Sequence, residues 1–139
     1  MASNFVFLLV LSLLGVLMFF LLPVESQHPV VVFTQWSYSG KVAEKQPAGT
    51  KVVTVQAYYF TVDGKRRSDG YFHIPTDGDG RFFTVTTDST DYISTGPIQT
   101  AVILDKNTAN KTEFQFSIWY ITPLNASTDA GVSVVLTNN

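Results

Sequence analysis

The chain has 139 residues, nine Lys and Arg against eleven Asp and Glu for a formal net charge of −2, and 45% hydrophobic residues. That length suits one domain, and the near balance of charge gives no electrostatic case for nucleic acid or an anionic membrane as partner. With no cysteine anywhere, disulfides, thiol catalysis and cysteine metal sites are excluded, and packing alone must hold the fold.

From Phe5 to Leu22 every residue is apolar except Ser12 and Gly15; Pro23 then interrupts the run, and Val24, Glu25 and Ser26 lead to a cleavage point. We assign residues 1–26 to a signal peptide and 27–139 to a secreted domain, with no membrane contact after cleavage. An uncleaved membrane anchor is the alternative, because the run is long and no Lys or Arg precedes it.

In the exported part, short β-rich runs alternate with Gly, Pro, Asn and Asp clusters, and no helix-period segment of useful length occurs. The pattern predicts strands at 30–38 (open to a break), 51–60, 70–74, 81–86, 98–104, 113–121 and 131–136. Glu44 and the Pro47-Ala48-Gly49-Thr50 turn lead into the second strand, where Val53, Val55 and Ala57 share one face. Asp63-Gly64 and the run from Pro75 to Gly80 supply reversals. In the run from Glu113 to Ile121, Phe114, Phe116, Ile118 and Tyr120 face the core while Trp119 faces outward. Seven strands suit an all-β, two-sheet sandwich.

Little in the chain points to chemistry, and we expect no enzyme. The only imidazoles are His28 and His73, with no nucleophile turn or metal-spaced partner. Asp77-Gly78-Asp79-Gly80 lacks the ligand spacing of an EF-hand loop, since Arg81 and Phe82 stand at its fifth and sixth positions, and it reads as a turn. Lys65-Arg66-Arg67 reads as a solvated hairpin tip in preference to a polyanion contact. Asn110-Lys111-Thr112 and Asn125-Ala126-Ser127 are N-glycosylation sequons in loops. Aromatic residues are the better contact candidates. Trp119 is a hot-spot candidate, joined by Tyr58 and Phe60 if their strands share a sheet, whereas Trp36 is expected to pack into the core.

The order Glu44, Pro47-Ala48-Gly49-Thr50, Val53-x-Val55-x-Ala57, Ile98, Leu104-Asp105, Phe114-x-Phe116-x-Ile118 and a closing Val-Ser-Val-Val-Leu resembles a single cadherin repeat over nearly the whole exported chain. The resemblance implies a seven-strand Greek-key sandwich, cadherin-like or immunoglobulin-like, and a role in extracellular protein interaction or cell adhesion. It also implies calcium held between successive repeats, with Glu44 and Asp105 at two of the ligand positions. Much of that ligand set is replaced here. Lys106-Asn107 stands for Arg-Glu, Tyr59 and Thr61 for an acidic pair, Thr122 for a later Asp, and Thr137-Asn138-Asn139 is what remains of the closing motif. Calcium takes six to eight oxygens, so the expectation is no cofactor and a module that does not depend on calcium by itself. The partner is an extracellular protein, homophilic or heterophilic. The alternatives are a structural or matrix component without a specific partner, and calcium-dependent homophilic adhesion as part of a longer cadherin.

Overall fold

The computed structural model describes residues 29–139, so the leader assigned to 1–26 lies outside the described residues. Two sheets face each other. The first has the order β1 (Val30–Phe33), β3 (Lys51–Phe60), β8 (Ile93–Thr100), β6 (Phe83–Val85), with two short strands, β4 (Arg66–Arg67) and β7 (Asp88–Thr90), paired to β3 and β8. The second has the order β2 (Ser37–Ala43), β10 (Ser127–Thr137), β9 (Glu113–Ile121), β5 (Tyr71–His73). A 3-10 turn (Gly78–Phe82) precedes β6, and a one-turn helix, α1 (Lys106–Ala109), precedes β9. Counting β1 and β2 as one divided strand and setting aside β4 and β7, this is the expected seven-strand sandwich. Among the described residues no helix is long and apolar enough to cross a membrane.

Alternation places the core as expected. Val55, Ala57, Ile98, Phe114, Ile118, Tyr120 and Val134 are almost wholly buried between the sheets, each such large apolar side chain being worth roughly 1.5–3 kcal/mol. Gly49 has φ +91° in the turn before β3, a conformation that favours glycine, and Thr50 Oγ1 donates to Pro47 O at 2.6 Å to close it. Gly96 serves a different need. A Cβ there would lie 2.7 Å from the Phe72 ring, so the bare backbone is what lets β8 approach that core aromatic.

Four expectations about elements are corrected. The predicted first strand at 30–38 is two strands in different sheets: the chain bends at residues 34–36, β1 pairs antiparallel with β3, and β2 continues to Ala43, parallel to β10. Tyr38 makes the switch possible. Its buried hydroxyl lies 3.1 Å from Thr34 Oγ1, accepts from Gln35 N at 3.2 Å and donates to Gln56 O at 3.2 Å, satisfying the polar groups that the bend frees. The strand predicted at 98–104 is β8, which begins at Ile93 and ends at Thr100; Val102 and Ile103 lie in an exposed connection. The run 81–86 begins inside the 3-10 turn and is strand only from Phe83 to Val85. The last strand starts at Ser127 and not at 131.

The register defines two ends of the sandwich. Val30 opposite Phe60, and Tyr71, Ile121 and Ser127 in line, mark an upper pole. Lys51 opposite Gln99, and Ala43 opposite Thr137, mark a lower one.

Candidate interaction surfaces

The expectation that Trp36 packs into the core is overturned: it is 97% exposed. Residues 36 and 38 would share a face if the strand were continuous, but Trp36 falls in the bend where the chain leaves the first sheet. Tyr38 takes the interior place. The bend is pinned at both ends, by Thr34 N donating to Gln56 O at 3.0 Å and Gly131 N to Trp36 O at 3.4 Å. A cleft of about 250 Å³ opens beside the indole, between Val31 and Phe33 of β1 and Thr128 and Asp129 of β10.

Trp119 does face outward, between His73 and Asp129 in the sheet register, but it is half-buried. It lines a cleft with Pro75, Asp77, Gly78 and Asp79 of the loop after β5. That loop is fastened by a residue whose role was not visible in the sequence. Asp79 accepts from Lys111 Nζ at 2.6 Å and from Gln115 N at 2.9 Å, capping the β9 edge where β5 has ended. Partial burial pushes the Asp79 carboxyl up, but the Lys111 and Gln115 hydrogen bonds outweigh it and hold the group below the usual carboxylate range.

Tyr58 and Phe60 also point away from the core, at a T-shaped centroid distance of 5.6 Å, with the Arg66 guanidinium 3.7 Å over the Tyr58 ring. They do not join Trp119. β3 and β9 belong to different sheets, so the anticipated shared aromatic patch is replaced by two separate outer faces.

At the lower pole the fold brings Glu44 and Asp105 close together, but each is already engaged. Glu44 Oε2 accepts from Lys106 N at 3.2 Å, and Asp105 Oδ1 caps α1 by accepting from Asn107 N at 2.9 Å. Lys106 Nζ donates to Asn138 Oδ1, and Gln46 Nε2 to Asn139 Oδ1 at 3.5 Å. Among the described residues no three of His, Cys, Asp and Glu gather as a metal site would need. Asn110 and Asn125 are exposed turn residues with φ of 56° and 64°, at opposite ends of β9.

The upper pole is held by buried hydroxyls. Tyr120 OH sits 2.8 Å from Ser94 Oγ and accepts from Gly70 N at 3.0 Å, and Ser94 Oγ donates to Ser68 O at 2.7 Å. Tyr59 OH donates to Asp69. Burial, reinforced by that carboxylate, pushes the Tyr59 phenol up to about 12.

This two-sheet sandwich has the fold of cadherin extracellular domains, to which it is similar among solved structures. Among solved structures the chain is similar to protocadherin gamma B2 extracellular cadherin domains 3–6, at 18% identity and TM-score 0.53 over 77% of this chain and 22% of that one. It is similar to chicken VE-cadherin EC1-2, at 22% identity and TM-score 0.57 over 81% and 52% of the two chains. The third cadherin domain of human protocadherin 7 matches at 15% identity and TM-score 0.57, over 79% of this chain and 87% of that domain. The chain thus spans about one domain's share of the longer neighbours, and at these identities the likeness establishes the fold alone. No family model matches the sequence, and no curated protein does.

Proposed function

We propose that this domain is an extracellular protein-interaction module of the adhesion type, and that Trp36 is its anchor contact. The observation that carries this reading is a fully solvated indole on a bend pinned by backbone hydrogen bonds. A large apolar ring without a packing role is costly to leave in water, and tryptophan anchors dominate protein interfaces out of proportion to their number. The bend keeps the ring presented, so little ordering entropy is lost on docking. Trp119, half-buried beside the cleft it shares with the 75–79 loop, is the lesser candidate, and Tyr58 with Phe60 a separate face. Secretion and glycosylation at Asn110 and Asn125 are part of the same reading; neither sequon lies on the bend.

The module needs no calcium of its own. Calcium requires six to eight oxygens, whereas the Glu44 and Asp105 carboxylates serve backbone amides and the Lys106 ammonium takes the Asn138 side-chain oxygen. The donor set does not fit the ion.

The test uses the 139-residue sequence expressed in a secretory host, as wild type and as Trp36→Ala. Sedimentation with calcium or chelator reads self-association, and adhesion of cells to surfaces coated with the protein reads a heterophilic partner. Loss of either in Trp36→Ala, with calcium making no difference, is the expected result. Equal adhesion and equal mass for both proteins would remove Trp36 as the anchor, and a mass that rises only with calcium would overturn the calcium reading.

A further inference from the structure

The tip formed by β4 with its flanking residues, from Lys65 to Asp69, and the tip formed by β7 with the turn into β8 lie side by side at the upper pole and line an open concavity of about 710 Å³. All three residues of the Lys65-Arg66-Arg67 run line it, facing Thr90 and Tyr92 on the other tip. The two tips are stitched together. Arg66 Nε donates to Tyr92 O at 2.7 Å, Ser68 Oγ to Thr90 O at 3.1 Å, and Ser89 Oγ to Ser68 O at 2.7 Å. The basic run is therefore one wall of a built hollow and not a loose hairpin end.

The cations on that wall are largely unanswered. Among the described residues the Arg67 side chain has no hydrogen-bond or ion-pair partner, and that of Arg66, seated on the Tyr58 ring, uses Nε alone, leaving its Nη groups without an acceptor. Lys65 reaches Asp63 only at 4.0 Å, with both side chains in water. Two carboxylates share the lining. Asp69 already accepts the Tyr59 hydroxyl, and Asp91 stands on the other tip. Across from the cations, Tyr92 lines the concavity, is 65% exposed and holds φ +67°, a left-handed conformation uncommon for a bulky residue.

We infer that this concavity is a binding site for a sulfated glycan, with sulfate groups on Arg66 and Arg67 and a sugar ring beside Tyr92. Guanidinium forks pair with tetrahedral oxyanions through two parallel hydrogen bonds. Serine and threonine hydroxyls in the lining suit sugar hydroxyls, and the volume falls within the range of small-ligand sites. A hollow meets a flat bilayer only at its rim, which disfavours lipid headgroups. The overall net charge of −2 disfavours long nucleic acid. The site is separate from the Trp36 bend and stands or falls independently of it.

The experiment is calorimetric titration of the secreted chain with a fully sulfated heparin tetrasaccharide at about 50 mM salt, where charge screening is weak. The unsulfated tetrasaccharide and phosphatidylserine vesicles are the comparison probes. Binding should be specific to the sulfated sugar and weaken about tenfold in Arg67→Ala, the loss of one charge-assisted contact. It should disappear in Arg66→Gln combined with Arg67→Gln, and be unchanged in Arg81→Gln, which alters an arginine outside the concavity. The Arg67 side chain is exposed and makes no hydrogen bond or ion pair among the described residues, so its variant tests the site with little threat to the fold. Absence of binding overturns the inference, as does equal affinity of wild type and Arg67→Ala. Binding of the unsulfated sugar, or of the vesicles with the same arginine dependence, overturns the glycan assignment.

Discussion

The two poles of the sandwich are held by opposite chemistry. At the upper pole, phenol and serine hydroxyls are sealed inside, as Tyr120, Ser94 and Tyr59 show, while the arginines outside are left open. At the lower pole the polar contacts lie nearer the surface and are mutually satisfied: Glu44 and Asp105 cap backbone amides, Lys106 reaches Asn138, and Asp79 joins Lys111 to Gln115. Buried hydrogen bonds stabilise because breaking one strands a partner away from water, and surface pairs do not carry that penalty. Charges that answer one another are architecture. Charges left unanswered beside a hollow are available to a ligand.

The contrast can be broken experimentally, and the largest effect is expected at the upper pole. Tyr120→Phe leaves Gly70 N–H without its acceptor and removes one of the hydrogen bonds of Ser94, which keeps its bond to Ser68 O, and should cost about 1–3 kcal/mol in denaturant unfolding. A loss below about 0.5 kcal/mol would mean that water substitutes freely there.

Next comes alkali. Because the folded Tyr59 phenol lies at about 12, above its ordinary 10, the stability it supplies is complete below pH 10 and lost as pH rises toward 12. The loss should be of order 2 kcal/mol and be flattened in Tyr59→Phe. An identical alkaline slope in that variant would place the sensitive group elsewhere.

Acid reverses the roles of the poles. Asp79 is held below the usual carboxylate range, so its stabilisation is present above its unfolded value near 4 and lost as pH falls through the folded one. Asp79→Ala should reduce stability at neutral pH by about 1 kcal/mol and shrink the acid-dependent part of the unfolding curve. If its acid limb matches wild type, the 75–79 loop is not what acid releases.

The smallest effect is expected from Lys106→Ala. Its ammonium contact with Asn138 is exposed, and removing it should change stability by less than about 0.5 kcal/mol. Calcium and chelator should give the same melting temperature for this variant and for wild type. A calcium-dependent rise in either protein would show that the lower pole holds the ion after all.

Legibility differed by element for identifiable reasons. Lys51–Phe60 and Glu113–Ile121 were readable to their ends because they alternate strictly and are bounded by turn residues. β8 was misplaced because Ala101, Val102, Ile103 and Leu104 read as a strand and Ser94, Gly96 and Pro97 as a loop. The interior needed the reverse. Ser94 hydrogen-bonds Tyr120 and Gly96 gives way to Phe72, so small residues were selected by what lies across the core. Glu44 and Asp105 could be named from the sequence as two positions of a ligand set, but not their backbone partners: the amide that Glu44 accepts from belongs to a residue 62 positions away.

Local alternation, turn chemistry and the lack of cysteine by themselves determined an all-β chain, its core faces and its reliance on packing, because side-chain direction in a strand follows from residue parity. Tertiary structure alone decided where β1 hands over to β2, and therefore that Trp36 stands in water. It also decided that Trp119 is half-buried beside a cleft, and that the basic run borders a hollow. Exposure and partnership depend on which distant segment covers a residue, and parity carries no information about that.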